Sequence, residues 1–359
     1  MSHKSVAAAL AVAVAVIGLT PAQNGLAAHS AAVRAAVRAA SGVQQGRRLP
    51  FELGGHIKSL DHLGPMRDIG MTWAKIQIVM PDDSVPDLSA TIRAVHGAGL
   101  KLLVGAVGDR TRAADRAYHR AFARQLAALA RQRVDAIEVW NEPNLDREYG
   151  YGKVDPANYT NMLREAHRAI KAARRSTLVI GGGLAPTGAF GGGCTANGCD
   201  DAFFLARLAS LGAARYMDCM GAHHNAGMIG PDQTDTAPVG NPDHHSWYFW
   251  GTLNVTHNAF RGRVPVCWTE LGYVTGEGIG ALPGGFSWGN ATTLDNQAQW
   301  LARAVALSRD SRKVRLMIIW NIDARQWDED PQAGYSIIRP NGECRACETI
   351  KSAMSAMGR

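Results

Sequence analysis

The stretch that decides the fold is Ala136-Ile-Glu-Val-Trp-Asn-Glu-Pro-Asn144. Apolar and other side chains alternate over its first residues, which predicts a short strand. The strand ends abruptly at Asn141 and Glu142, and Pro143 closes the turn that follows. In α/β barrels the functional side chains lie at the C-terminal ends of the strands, so this amide and this carboxylate are the first candidates for a site.

A second predicted strand, Val264-Pro-Val-Cys-Trp-Thr-Glu270, also ends in a glutamate. Counted along the chain, the two strands are the fourth and the seventh, whose ends face each other across the mouth of a barrel. Glycoside hydrolysis uses two carboxylates placed in this way, and a separation of about 5–5.5 Å gives retention of the anomeric configuration. Each residue taken alone has the alternative interpretation of an ordinary loop glutamate.

Eight strand-like apolar runs alternate with amphipathic helical runs, which predicts a single-domain α/β protein, a (β/α)8 TIM barrel over residues 50–359. The strands are predicted to begin near Phe51, Met71, Lys101, Ala136, Thr177, Met217, Val264 and Arg315. The clearest helices are expected at Asp115–Arg133, Pro156–Arg174, Asp200–Leu211, Leu294–Ser308 and Cys347–Met357. Long connections follow the strand ends at 144–155, 185–200, 225–245, 272–293 and 323–336, so they should build one binding face.

The first 49 residues differ in composition from the rest of the chain. A polar start with Lys4, an apolar run over 6–19 and small residues after it predict a signal peptide over residues 1–28. Residues 29–49 are an Ala/Arg-rich flexible lead-in. We expect a secreted or periplasmic protein with no membrane contact after cleavage. An uncleaved anchor is the alternative, although the apolar run is shorter than the roughly 20 residues of a membrane span.

The formal net charge of +7 comes mostly from this N-terminal segment. Its five basic residues, with no acidic residue, leave +2 for the barrel. The composition therefore does not support a nucleic-acid partner, and we expect a monomer.

Six cysteines are typical of an exported protein. The pairs Cys194/Cys199 and Cys344/Cys347 are close enough in sequence to form local disulfides. Two further cysteines, at 219 and 267, fall inside predicted strands and are interpreted as small buried residues, with the pairing of the six cysteines left open. A zinc site is the alternative for the pair at 344 and 347, but no second pair with ligand spacing accompanies it.

Three motifs resemble those of a known group of enzymes. Trp140-Asn-Glu-Pro-Asn144 resembles the strand-four signature of the clan A glycoside hydrolases, and family 39 is the most similar family. Trp268-Thr-Glu270 resembles the strand-seven nucleophile site of the clan, and Trp320-Asn321 resembles its strand-eight tip. The final stretch from Gly334 to Gly342 is also similar. The resemblance extends over roughly residues 50–355.

The resemblance implies a retaining glycoside hydrolase that cleaves a poly- or oligosaccharide and needs no cofactor or metal. Glu142 would be the general acid/base, with a pKa raised by an apolar pocket, and Glu270 would be the nucleophile. Asn141 would bind the sugar 2-hydroxyl, and the Trp320 ring would stack on the sugar. A tryptophan of the barrel core is the alternative for Trp320. The long loops slightly favour endo action.

The chain departs from the clan in two strands. Where the clan has an arginine in strand two, this chain has Lys75 and Gln77, and either could hold the nucleophile or a substrate hydroxyl. The strand-six pattern His-x-Tyr becomes His223-His-Asn225, which puts Asn225 in the place of the tyrosine that touches the nucleophile. Tyr273, in the loop after strand seven, is the candidate to replace that tyrosine.

Two other functions remain as alternatives. The segment His223–His245 holds four histidines and could serve a metal-dependent hydrolase, but it lacks the regular spacing of a metal motif. The departures in strands two and six could also mark a carbohydrate-binding barrel that has lost catalysis.

Overall fold

A computed structural model describes residues 50–80, 84–225, 228–235 and 241–356. Within them, eight parallel strands close into a barrel in the order β1-β8-β7-β6-β5-β4-β3-β2. The strands are β1 Glu52–His56, β2 Trp73–Val79, β3 Lys101–Val107, β4 Ala136–Val139, β5 Leu178–Leu184, β6 Cys219–His224, β7 Val266–Leu271 and β8 Val314–Ile319. The predicted (β/α)8 TIM barrel is thus confirmed.

One main helix follows each strand, as a parallel barrel requires. The helices are α1 Leu63–Asp68, α2 Ser89–Gly97, α3 Arg116–Arg131, α4 Pro156–Ala173, α5 Asp201–Ser210, α6 Phe249–Ala259, α7 Leu294–Ser311 and α8 Arg345–Ser355. The long connections after β4 and β8 contain the short helices Asp146–Tyr149 and Gln332–Tyr335. No helix of the described part of the chain is long and apolar enough to cross a membrane. The predicted signal peptide and lead-in, residues 1–49, lie outside the described residues.

The helix starts follow from local capping. Asp115 and Asp155 each accept a hydrogen bond from the backbone two residues on, and Pro156 occupies the first turn of α4, where its missing N–H costs nothing. Thr293 and Asn296 form a reciprocal capping box at the start of α7. All eight strands begin within two residues of the predicted positions.

The barrel interior changes from apolar to charged toward the C-terminal end of the strands. Its lower layer takes apolar side chains from seven strands: Trp73, Leu103, Ala136, Ile180, Cys219, Cys267, Leu316 and Ile318. Above it lie Lys75 and Glu138, both buried. Gly105 and Gly183 leave room for the side chains of Lys75 and His223. A Cβ on Gly105 would lie 3.3 Å from Lys75 Cε, and a Cβ on Gly183 would lie 2.4 Å from His223 Nε2. The sequence pattern Gly-Gly-Gly183 therefore serves close packing at the tip of β5.

Three disulfides are present. The predicted pairs Cys194–Cys199 and Cys344–Cys347 are confirmed. Cys219 and Cys267 are buried, as predicted, and they also form a disulfide that was not predicted, with a Cα–Cα distance of 5.8 Å. They lie on the neighbouring strands β6 and β7, and both point into the barrel. The register between these two strands cannot be predicted from the sequence alone.

Candidate active site

The tip of β4 is held in an unusual backbone conformation. Trp140 and Glu142 both have positive backbone φ angles, 75° and 40°, which residues other than glycine rarely adopt. Such backbone persists only where the surroundings enforce it. Here the buried Trp140 ring packs against Phe122 and Tyr149, and the Asn144 amide bonds to the backbone of Ala185 and Cys199, at the two ends of the loop after β5. The turn thereby directs the Glu142 carboxylate into the mouth of the barrel.

The two carboxylates predicted to be catalytic, those of Glu142 and Glu270, both lie close to the imidazole of His223. His223 Nδ1 lies 3.0 Å from Glu142 Oε1 and 3.7 Å from Glu270 Oε2. Two oxygens this close to one nitrogen are less than about 7 Å apart, so one oxygen of each carboxylate can reach the same bound group. The carboxylates therefore converge across the mouth of the barrel, as their places at the ends of β4 and β7 predict.

The acid/base candidate differs in its electrostatics from the expectation. Burial raises the pKa of Glu142, but the hydrogen bond and charge of His223 and the charge of Arg147 outweigh it and lower this pKa to about 2. Burial lowers the pKa of His223, but the charge of Glu270 and the hydrogen bond and charge of Glu142 outweigh burial and raise it. The expected rise in the pKa of Glu142 is thus wrong: the contacts of this pair lower the pKa of Glu142 and raise that of His223.

A third carboxylate lies in the same cleft. Glu148 is half-buried, and burial together with the charge of Glu142 raises its pKa. Arg147, the residue before it, donates to Glu142 Oε2 from a side chain that is 66% exposed. Both residues belong to the short helix after β4, and the sequence analysis missed them. Their closeness in sequence to Glu142 was the available signal.

The nucleophile candidate is held from two sides. Asn225 Nδ2 donates to Glu270 Oε2 over 3.2 Å, so Asn225 contacts the carboxylate of Glu270. On the other side Lys75 Nζ lies 3.6 Å from Glu270 Oε1 and donates to the backbone oxygen of Thr269. Of the two strand-two candidates, Lys75 therefore contacts Glu270, whereas Gln77 lines the cleft.

A cleft of about 880 Å³ opens above the carboxylates. Its lining includes Asn141, whose buried Oδ1 has no hydrogen-bond partner among the described residues and is free to accept from a ligand. The half-buried Trp320 also lines it, which disfavours a pure core role for this ring. Further aromatic walls come from the loops after β6 and β7, namely Trp247, Phe286 and Trp288.

One predicted site residue lies elsewhere. Tyr273 is fully buried, and its ring packs against those of His224 and Trp300 rather than lining the cleft. A different tyrosine, Tyr335, lines the cleft and donates from its hydroxyl to the backbone oxygen of Asn225. Burial, Asp330 and Glu270 raise its pKa. The sequence analysis noted the stretch around Tyr335 but not its role.

The histidines considered for a metal are dispersed. His223 binds Glu142, and His224 is buried among aromatic rings, where burial lowers its pKa to about 4. His244 packs against His245, which pairs with Asp201 on α5. In the described part of the chain, no three histidine, cysteine, aspartate or glutamate side chains converge as a metal site would need.

Comparisons with known proteins agree with this fold. No family model and no curated protein sequence matches the chain. Its structure is similar to a family 39 glycoside hydrolase from Bacteroides cellulosilyticus WH2, with a TM-score of 0.63 and 17% identity over 86% of this chain and 64% of that one. The chain thus spans less than two thirds of the length of that enzyme.

Two further structures have the same barrel. An endo-1,4-β-mannanase from Rhizomucor miehei gives a TM-score of 0.55 and 13% identity, over 88% of this chain and 96% of that one. A glucosidase from Croceicoccus marinus gives 0.55 and 13%, over 86% and 67%. At these identities the similarity establishes a shared fold: the chain has the barrel architecture on which these glycoside hydrolases are built.

Proposed function

We propose that the protein is a retaining glycoside hydrolase that cleaves poly- or oligosaccharides. The observation that carries the proposal is the convergence of Glu142 and Glu270 on His223 at the floor of an open cleft. The barrel fold shared with glycoside hydrolases supports it. A cleft bounded by long loops suits an internal stretch of polymer, so endo action is the preferred mode.

In the proposed reaction, a carboxylate oxygen of Glu270 attacks the anomeric carbon as the bond to the leaving oxygen breaks. Glu142 gives its proton to that oxygen, and a glycosyl ester remains on Glu270. Glu142 then removes a proton from water, which attacks the anomeric carbon and releases Glu270. Asn141 Oδ1 accepts from the sugar 2-hydroxyl in both steps, and the Trp320 ring stacks on the sugar.

The proton reaches Glu142 from its partners. In the unliganded site Glu142 is ionised, and His223 holds the shared proton at 3.0 Å. The exposed Arg147 side chain stabilises this charge, and a sugar bound beside Glu142 would displace it. Removing this charge raises the pKa of Glu142 and so favours transfer of the imidazole proton to the carboxyl. This sequence accounts for an acid catalyst whose pKa is low before substrate binds.

The test begins with a panel of plant, fungal and bacterial polysaccharides, followed by product analysis and by NMR of the first anomer released. Retention is expected. Glu270→Gln should lower turnover by at least about 10⁴-fold, the scale of loss for a missing nucleophile. Glu142→Gln should lose about 10²–10⁴-fold on ordinary glycosides but recover with good leaving groups, which need no acid.

Two controls sharpen the assignment. Glu348→Gln, at the exposed start of α8, should leave turnover unchanged. Glu148→Gln tests another carboxylate of the cleft: if it, and not Glu142→Gln, shows rescue by good leaving groups, the proton donor is Glu148. Binding of polysaccharide without any product over long incubation would instead identify a carbohydrate-binding barrel, and loss of turnover on chelation a metal-dependent hydrolase.

We also propose that the protein is exported and works as a monomer. Three disulfides support an oxidising compartment. Mass spectrometry of the secreted protein, with a mature N-terminus near residue 29, would test the predicted signal peptide.

A further inference from the structure

A buried ion pair lies beneath the nucleophile and is closed off from the cleft. Lys75 is 0% and Glu138 1% exposed, and neither lines the cleft, so neither can touch a sugar. Their charged atoms, Nζ and Oε2, are 2.8 Å apart. The lysine chain crosses β3 at Gly105, where a Cβ would stand 3.3 Å from Lys75 Cε and 3.4 Å from Glu138 Oε2. Glycine at this position keeps the passage open.

Glu138 is fixed independently of the lysine. Its Oε1 accepts from the backbone N–H of Gly183 over 2.9 Å, at the tip of β5. Burial raises its pKa, but Lys75 and His223 outweigh burial and lower it, so Glu138 is ionised. A buried carboxylate with this anchoring gives the ammonium a firm counter-charge on the side away from the cleft.

One ammonium thus serves two carboxylates at unequal distances. Lys75 Nζ is 2.8 Å from Glu138 and 3.6 Å from Glu270. Burial opposes the charge of Lys75, but Glu138 first and Glu270 second raise its pKa above the ordinary value. The lysine also donates to the backbone oxygen of Thr269, which fixes the strand just before the nucleophile.

We propose that Glu138 is a positioning residue for the nucleophile: it holds the ammonium of Lys75 back from Glu270. This inference rests on the proposed function. When Glu270 forms the glycosyl ester, its negative charge disappears. An ammonium in tight contact would oppose that step, and it would be left buried without a counter-ion afterwards. With Glu138 at 2.8 Å, Lys75 keeps its counter-ion throughout the reaction.

The test is the pH dependence of kcat/KM on the polysaccharide that the wild-type protein cleaves in the panel. In Glu138→Gln the ammonium has only Glu270 as counter-ion, so kcat/KM should fall about tenfold and its acidic limb should move down by about one pH unit. In Lys75→Met/Glu138→Gln both charges are absent, so Glu270 loses the nearby ammonium and keeps the His223 imidazole at 3.7 Å. The acidic limb of the double variant should therefore move the opposite way, to higher pH.

A matched control lies elsewhere on the barrel. Lys171 and Asp218 form a second lysine–carboxylate pair, at 2.7 Å, on α4 and just before β6. Asp218→Asn should lower the melting temperature without moving either limb of the pH profile. A merely structural role for Glu138 predicts the same behaviour in Glu138→Gln.

The outcomes separate the two proposals. No product from the wild-type protein, or full turnover by Glu270→Gln, overturns the proposed function. An active wild-type protein with unmoved acidic limbs in Glu138→Gln overturns this inference alone. If Glu138→Gln does not fold, the double variant decides, since it buries no unbalanced charge: an acidic limb that stays in place or moves to lower pH refutes the inference.

Discussion

Replacing Cys219 and Cys267 with alanine should lower the free energy of unfolding by about 4 kcal/mol. A disulfide lowers the conformational entropy of the unfolded chain by an amount that grows with the logarithm of the length of the loop it closes. A separation of 48 residues gives about 4 kcal/mol at 25 °C. The bond between Cys344 and Cys347, with a separation of 3, gives only about 1.6 kcal/mol by the same relation. The interior bond should therefore dominate.

The assay is thermal unfolding followed by circular dichroism without reductant. With an unfolding entropy of about 2.1 cal/mol/K per residue over about 310 residues, the two losses correspond to about 6 °C and 2–3 °C. Cys219→Ala and Cys267→Ala alone should each cost nearly as much as the double variant, because either breaks the bond. Equal shifts for the interior bond and the bond at 344 and 347, or additive losses of the two single variants, would refute the reasoning.

Two further predictions concern charge. Burial lowers the pKa of His224 to about 4 in the folded protein, against about 6.5 when unfolded, so the unfolded chain binds the extra proton and stability falls as pH drops from 6.5 toward 4. Urea midpoints at pH 7 and pH 5 should differ less in His224→Gln than in the wild-type protein, by about 2 kcal/mol in free energy; an unchanged difference would show that another group governs acid unfolding. Arg147→Met removes a cation beside the Glu142–His223 pair, which shares one proton, so that proton should be held more tightly and the basic limb of kcat/KM should move to higher pH. A basic limb that stays in place would exclude Arg147 from the protonation of the site.

The barrel and the two carboxylates could be predicted because they depend on local patterns. Apolar runs of strand length locate the eight strands, and a polar residue at the end of such a run locates Glu142 and Glu270. The parity of the stretch around β4 also turns Glu138 away from its apolar neighbours at 137 and 139. What lies beside Glu138 is not a local property, because Lys75 comes from a strand two places away in the sheet.

The features that the sequence did not predict depend on contacts between distant parts of the chain. The Cys219–Cys267 bond depends on how β6 and β7 are registered, and residue spacing does not contain that information. The low pKa of Glu142 depends on two cations, from His223 and Arg147, which only the folded loops bring together. Tyr273 was placed by its nearness in sequence to Glu270, but its ring turns to the outside of the barrel wall and packs under α7.

The absence of a side chain at Gly183, at the tip of β5, has a consequence for attempts to change the sugar specificity proposed for this cleft. Any side chain at Gly183 would strike the His223 ring and Thr269 Oγ1, each at 2.4 Å, and so would disturb both carboxylates at once. Randomised libraries should leave this strand untouched. Diversity belongs instead at loop aromatics such as Trp247 and Trp288, which line the cleft without bracing the carboxylates.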